Sequence, residues 1–485
     1  MPLKEKQNEL IYDIGIIGGG LGGYTAAIRA AQLGAKVVLF EKEVLGGTCL
    51  NRGCIPTKTF LKSVKALKEL KKLKELAITG VELAEAQIDL VKLQQRKKRV
   101  VSRLTTGVDS LLKAQGVEVV SGEAVMEEQL GLIKVKGRGQ GHVIEPQQQQ
   151  TYQARHVIIA TGSKPRLLPI PGIDSLYVLT SDEILGLEKV PSSLVILGGG
   201  VIGLEFALIF RELGADVTIV EMEERLLPAF DEEIAAEAAR MLKSSGITLH
   251  TGARAREIRG ETLVFEKEGE TQEITGEKIL VAVGRVPSFE GIDVQRLGLK
   301  TERGALVTDE FLRTNLPNVY AIGDANGKYM LAHKAAAEGL LAVENILGTP
   351  QKMDYTVIPQ CIYSFPEIAC VGLSEKQARA KYAEGELKIG KFPLAANGKA
   401  QVEGETRGFV KIIAERNSQR ILGVHVFGIV ATELIAEAVT AIKLGARAEE
   451  LGQCIHPHPT ISEAVQEAYQ EVGHGAIHLL RRNMV

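Results

Sequence analysis

The chain has 485 residues, enough for about three domains at roughly 100–200 residues each. Its formal net charge of −2 gives no global field to draw nucleic acid or an anionic membrane surface. No apolar run approaches the ~20 residues of a membrane-spanning helix, and the polar start MPLKEKQNEL has no signal core, so a soluble intracellular protein is expected, in a bacterial-type cytoplasm or an organellar matrix or stroma.

The first predicted element is a strand, IYDIGII, beginning at Ile11. It runs into Gly18, Gly20 and Gly23, then an Ala-rich helix ending near Gly34, then a strand, KVVLF, that delivers Glu41. The same order returns in SLVILGGGVIGLEFALIFRELGADVTIVEME, with Gly198, Gly200, Gly203 and Glu221. Gly18 and Glu41 recur as Gly198 and Glu221, each 180 residues later; chance similarity does not keep such a register. The residue types suit a dinucleotide. The first glycine makes the tight turn, the second lets the backbone approach a pyrophosphate, and the third lets helix pack on strand. The pyrophosphate then sits at the positive end of the helix, and the acid accepts ribose hydroxyls. Two units imply two dinucleotides. A carboxylate at Glu221 repels a 2′-phosphate, and no arginine follows until Arg225, so NAD is favoured over NADP.

Within eight residues of Glu41 the chain reads GGTCLNRGCIPTK, residues 46–58. Cys49 and Cys54 are two of only five cysteines, which excludes a disulfide scaffold. A zinc site needs four ligands, usually from repeated Cys pairs or spaced histidines, and no second pair is present. A structural staple is disfavoured in a reducing compartment. Pro56 suits the first turn of a helix, and TKTFLKSVKALKEL continues it. Cys54 then lies at a helix N-terminus, where the dipole and Lys58 favour thiolate. Cys49 is read as the more outward thiol.

Residues 62–75, KSVKALKELKKLKE, form a basic helical run, either a solvated face or a docking surface. PQQQQ, residues 146–150, reads as a hairpin or loop tip. HVIIATGSKPRLLPIPG ends a strand in Thr161-Gly162 and turns through prolines. KILVAVGRVPSFEGI passes through Gly284, and LPNVYAIGDANGKYMLAHKAAAEG carries Asp324, Ala332 and His333. From about residue 356 the pattern changes to strands and two helices, ending in HPHPTISEAVQEAYQ. There Pro459 can open a helix, and Glu463 in its first turn can reach back to orient His458 and stabilise its charged form. His456 lacks that spacing.

These motifs together resemble the flavin-dependent pyridine nucleotide–disulfide oxidoreductases, from about Ile11 to the mid-470s. The resemblance implies an α/β fold with two Rossmann-like dinucleotide-binding domains and an α+β C-terminal dimerisation domain. It divides the chain into an FAD domain with the dithiol (1–163), an NAD domain (164–285), a central segment completing the FAD site (286–355) and an interface domain (356–485). It assigns Gly18, Gly20, Gly23, Glu41, Gly47, Thr48, Lys58, Ala124, Thr161, Gly162, Asp324 and Ala332 to FAD, and Gly198, Gly200, Gly203, Glu221 and Gly284 to NAD. Lys58 is implied to approach the flavin and pair with Glu205. His458, Pro459 and Glu463 match the family's His-Pro-x-x-x-Glu motif, whose histidine serves the other subunit of a homodimer. His333 is read as structural. The CLN-x-GCIP form implies oxidation of dihydrolipoyl groups on a lipoylated acyltransferase or on the glycine cleavage H protein. The alternative is a disulfide reductase running from NAD(P)H to a small disulfide. Ser288 stands where the family usually has Asn. Arg52 stands where it has a small apolar residue; it either raises thiolate character, meets an acidic partner, or is solvated. No metal site is expected.

Overall fold

Strand Ile11–Ile17 is buried on both faces along most of its length, which is why it reads as an unbroken apolar run. It pairs in parallel with Val37–Glu41 on one side and Gln150–Ile159 on the other. Glu118–Ser121 extends the sheet beyond Val37–Glu41. Val319–Ala321 pairs with the C-terminal part of Gln150–Ile159, and the antiparallel strands Leu132–Lys136 and Glu123–Met126 complete the sheet. Helices Leu21–Gln32 and Ala332–Leu347 meet backbone to backbone over it. A Cβ on Gly339 would lie 2.5 Å from the Gly22 carbonyl, so only glycine permits that approach. The computed structural model describes residues 11–73, 75–80, 86–129, 131–136 and 150–480. Of the PQQQQ tract, residues 146–149 lie outside these, and Gln150 opens a strand.

The second unit repeats the plan. Its sheet runs Thr248–His250, Asp216–Val220, Ser193–Leu197, Lys278–Val281, Val178–Thr180, all parallel. A three-stranded antiparallel sheet, Ala253–Arg259, Thr262–Lys267 and Glu270–Thr275, is inserted before Lys278–Val281.

The third sheet is antiparallel throughout, in the order Gln360–Ile362, Glu367–Gly372, Ile421–Gly428, Phe409–Glu415, Leu387–Pro393. One face packs against helices Ala431–Leu444 and Ser462–Val472. Ile368, Phe409 and Phe427 join a core shared with Leu204–Phe210 of the second unit and with Phe60 and Val64 of helix Cys54–Leu70. The helix that begins at Cys54 is therefore wedged where the three units meet. Two Rossmann-like units and an α+β C-terminal domain are the observed fold class. Among the described residues no helix is long and apolar enough to cross a membrane.

One buried network ties the second unit to the third. Lys411, on strand Phe409–Glu415, has a 2% exposed side chain and lies 3.0 Å from Asp231 Oδ1 and 2.7 Å from Glu375 Oε2. Burial pulls Lys411 down, but these carboxylates outweigh it and hold its ammonium above the ordinary range. Asp231 also caps helix Glu232–Ser244 by accepting the Glu233 N–H.

Candidate active site

The dithiol segment is pressed onto the first glycine turn. Gly46 N–H donates to the Gly19 carbonyl at 2.8 Å, and a Cβ on Gly47 would lie 2.7 Å from Gly20 Cα. Residues Gly47–Asn51 form one short helix and Cys54 opens the next. Asn51 Nδ2 steadies the loop by donating to the Leu45 and Gly47 carbonyls at 3.0 and 2.9 Å.

Cys49 and Cys54 are free thiols that line one cavity of about 1940 Å³. A hydrogen bond from the Cys49 thiol lowers Cys54, burial opposes it, and Lys58 lowers it further, leaving Cys54 at about 7. The same hydrogen bond, followed by burial, pushes the Cys49 thiol far above its usual value. Cys54 is thus the thiolate-forming member, as its place at a helix start anticipates. The order of exposure differs from the sequence reading. Cys49 is half-buried and Cys54 is exposed, and both line the cavity.

Lys58 lies one turn into the Cys54 helix and donates to both oxygens of Glu205, at 2.9 and 2.8 Å. Glu205 is 4% exposed, on the helix that follows the second glycine turn. Sequence reasoning missed a third member. Tyr363, in the third unit, donates its backbone N–H to Glu205 Oε1 at 3.0 Å, and Lys58 Nζ sits 4.5 Å from its ring centroid, a cation–π contact. Cys361 lines the same cavity, and burial pushes its thiol up to about 11. Only the apolar strand QCI, followed by Tyr, hinted at either. Arg52 pairs with Glu43, so the acidic-partner alternative is the one realised. Within the basic run, Lys71 pairs with Glu212 at 3.1 Å and Lys72 with Glu405 at 2.5 Å, while Lys74 lies outside the described residues.

The two glycine turns have the same local construction. Gly18 and Gly198 have φ of +108° and +106°, and a Cβ there would strike the Ala160 and Ala282 carbonyls at 2.3 and 2.5 Å. A Cβ on Gly23 or Gly203 would strike the carbonyl of its own first glycine, at 1.9 and 2.1 Å. The middle glycines differ. Gly20 has no closer neighbour than 3.8 Å, and Gly200 none within 4 Å. Both line the cavity, so the missing side chain leaves room for a ligand. Glu41 accepts the Gly19 and Glu43 N–H groups at 2.8 Å each. Glu221 accepts those of Gly199 and Glu223. Each acid therefore also shapes the turn that it follows, a role the sequence reading did not assign. Arg225 donates to the carbonyls of Leu227, Pro228 and Phe230, so it is engaged in its own loop.

Ala124, Thr161, Gly162, Gly284, Asp324 and Ala332 all line this cavity. Asp324 accepts the Ser163 hydroxyl at 2.5 Å, and Ser163 Oγ in turn accepts Arg285 Nε at 2.7 Å. Thr161 Oγ1 is buried without a partner among the described residues, a donor left for a bound group. Open middle glycines, an orphaned hydroxyl and a long cavity joining both turns fit FAD in the first unit and NAD in the second. His333 lines the cavity too, with Nε2 2.9 Å from the Pro359 carbonyl.

His458 and Glu463 form the expected pair, with Nδ1 2.8 Å from Oε1. Burial pushes Glu463 up, but the Thr460 N–H and His458 outweigh it and hold the carboxyl below its usual range. The His458 side chain is 79% exposed, and neither residue is among those lining the cavity of its own chain. His456 instead faces Glu437 at 3.3 Å. One chain therefore brings together the dithiol, Lys58, Glu205 and both glycine turns, and leaves the histidine dyad apart. Among the described residues no group of three His, Cys, Asp or Glu side chains is placed to hold a metal ion.

Residues 12–339 match the family described as "Pyridine nucleotide-disulphide oxidoreductase", and residues 358–469 match its dimerisation domain. A dihydrolipoyl dehydrogenase of Bacillus subtilis (strain 168) is 44% identical over 480 residues, covering 96% of this chain and 99% of that protein. A dihydrolipoyl dehydrogenase of Rhizobium etli is 40% identical over 472 residues, covering 94% and 97%. The crystal structure of LpdA from Mycobacterium tuberculosis superposes with a TM-score of 0.85 at 28% identity, covering 95% and 99%. The Cu(II) complex of the HOCl-induced flavoprotein disulfide reductase RclA from Escherichia coli gives 0.83 at 29%, with the same coverage. With its fold, dithiol and paired glycine turns, the chain belongs to the pyridine nucleotide–disulphide oxidoreductase family and is an oxidoreductase.

Proposed function

We propose that the chain is a dihydrolipoyl dehydrogenase. It oxidises dihydrolipoyl groups carried by a lipoylated acyltransferase or by the glycine cleavage H protein, and it reduces NAD⁺ as a homodimer in a bacterial-type cytoplasm or an organellar matrix. The observation that carries this reading is one cavity holding Cys49, Cys54, the Lys58–Glu205 pair and both glycine turns. The names of the full-length relatives supply the substrate class.

In this reading the chain divides at 1–163, 164–285, 286–355 and 356–485. Gly18, Gly20, Gly23, Glu41, Gly47, Thr48, Lys58, Ala124, Thr161, Gly162, Asp324 and Ala332 hold FAD. Gly198, Gly200, Gly203, Glu221 and Gly284 hold NAD. FAD, when bound, supplies the two-electron link between the dithiol and NAD⁺.

The chemistry of the residues follows from their geometry. In the oxidised state Cys49 and Cys54 form a disulfide. His458 of one subunit takes a proton from a substrate thiol at Nε2, because Glu463 occupies Nδ1. The substrate thiolate attacks Cys49 Sγ, and Cys54 leaves as thiolate. A leaving thiol with pKa near 7 departs readily. The second substrate thiol then attacks its partner sulfur in the mixed disulfide, and Cys49 leaves as a thiol. The products are a cyclic lipoyl disulfide and a reduced dithiol, with two electrons now on the enzyme. Lys58, held by Glu205, keeps positive charge beside Cys54.

The test is substrate choice in the purified protein. Reduction of NAD⁺ by dihydrolipoamide is expected, and Cys49→Ser is expected to lower it by about 10³-fold or more with flavin retained. Faster turnover of glutathione disulfide with NADPH overturns the substrate assignment, and a fully active Cys49→Ser overturns the dithiol role.

A further inference from the structure

Two fully buried charges lie behind the cavity wall and take no part in the chemistry above. Lys334 and Glu338 stand one turn apart on helix Ala332–Leu347, and both side chains are 0% exposed. A buried ion pair is a weak source of stability, since apolar residues of similar volume do as well or better. Burial pulls the Lys334 ammonium down against the pull of Glu338. What the pair supplies is read from where its hydrogen bonds go.

Lys334 Nζ donates to the Gly323 carbonyl at 2.9 Å, to Asn326 Oδ1 at 3.2 Å and to Glu338 Oε2 at 3.1 Å. Its three protons thus have three acceptors. Glu338 Oε2 accepts the Gly323 N–H at 2.6 Å, and Oε1 accepts the Asn326 amide at 2.8 Å and the Tyr355 hydroxyl at 2.6 Å. One ion pair therefore grips both backbone groups of Gly323 and both ends of the Asn326 side chain. Gly323 has φ +66° and opens the 3₁₀ turn Gly323–Asn326. The next residue is Asp324, which faces the cavity and accepts the Ser163 hydroxyl. The helix that carries the pair begins with Ala332 and His333, which line the same cavity.

We infer that Lys334 and Glu338 are positioning residues for FAD. They lock the Gly323–Asn326 turn to the start of the Ala332–Leu347 helix, so that Asp324 and the helix N-terminus meet the cofactor as one preformed wall. A wall set before binding spares the ordering cost at binding, which is expressed as tighter retention. The inference rests on FAD occupying the first unit.

The experiment follows FAD release from purified holoenzyme by recovery of flavin fluorescence, well below the unfolding temperature. Lys334→Met and Glu338→Gln are expected to release FAD about tenfold faster than the parent, with the KM for NAD⁺ unchanged. Tyr355→Phe removes one arm and is expected to give about threefold. Lys411→Met breaks a buried ion network that does not line the cavity, and is expected to release FAD at the parental rate. Release from folded Lys334→Met within about twofold of parental overturns the inference, and so does equal loosening by Lys411→Met. If the buried-charge variants do not fold, unchanged release from Tyr355→Phe overturns it. A parental protein that holds no FAD overturns the cofactor reading beneath it, which is a distinguishable result.

Discussion

Cys54 shows how a single side chain is tuned by neighbours from two units. Its thiol falls to about 7 under the Cys49 hydrogen bond and the Lys58 charge, with burial and Glu205 opposing. The sign for Lys58 is plain: a cation favours thiolate, so its removal raises the pKa and strands the Glu205 carboxylate nearby. Alkylation of the reduced dithiol is therefore expected to rise through a midpoint near pH 7 in the parent. In Lys58→Met that midpoint is expected to move up by about one unit or more. Glu205→Gln removes a raising charge, and its midpoint is expected to move the other way. A titration of alkylation rate against pH checks both, and coincident curves would refute the account. At this scale much was legible. The two Gly-rich turns, the dithiol, and His458 with Glu463 come from motifs whose spacing constrains geometry, and Lys58 with Glu205 comes from the family resemblance. The relative exposure of the thiols was not legible, because a cavity wall and a protein surface look alike in one dimension. Nor was the partner of Arg52, nine residues back at Glu43. Lys334 and Glu338 were passed over for the same reason. An i, i+4 Lys–Glu pair in an Ala-rich helix reads as a solvated face, and only the fold shows it to be buried.

Among elements, the parallel strands Ile11–Ile17, Val37–Glu41, Ser193–Leu197 and Asp216–Val220 announced themselves as apolar runs beside the glycine turns. The inserted antiparallel sheet at residues 253–275 was less visible. Its strands mix charged and apolar residues, as Ala253–Arg259 and Glu270–Thr275 show, and carry no motif. The network that fixes the second unit against the third was invisible in sequence, since Asp231, Glu375 and Lys411 are remote from one another along the chain. It makes a specific prediction. Lys411→Met leaves the Asp231 and Glu375 carboxylates without their buried cation, an arrangement that costs about 3–5 kcal/mol. Asp231 also caps helix Glu232–Ser244, so the loss is expected there first. Hydrogen exchange of that helix is the measurement. Protection that stays at the parental level would show that the network contributes little to holding the two units together.

For the whole molecule, the decisive fact is a separation. The dithiol lies in a cavity lined by all three units, and His458, with its side chain 79% exposed, stands with Glu463 outside it. A homodimer with twofold symmetry resolves this, since each subunit can offer its dyad to the other's dithiol. The match to a dimerisation domain over residues 358–469 supports that arrangement. The prediction is made with two dead enzymes. Cys49→Ser retains the dyad but lacks the attacking sulfur, and His458→Gln retains the dithiol but lacks the base. Each homodimer is expected to be inactive in dihydrolipoamide oxidation. Co-expression under two affinity tags allows the mixed dimer to be purified. If the dyad acts across the interface, one of its two sites joins an intact dithiol to an intact His458, and the other has lost both. About half the parental activity per dimer is then expected. If His458 serves the dithiol of its own chain, each site of the mixed dimer carries one lesion and activity stays at the level of the parents' variants. Flavin content, measured on the same sample, separates a dead site from an empty one. Half-activity also requires that the two sites work independently, so an intermediate value well away from half would reveal coupling between subunits.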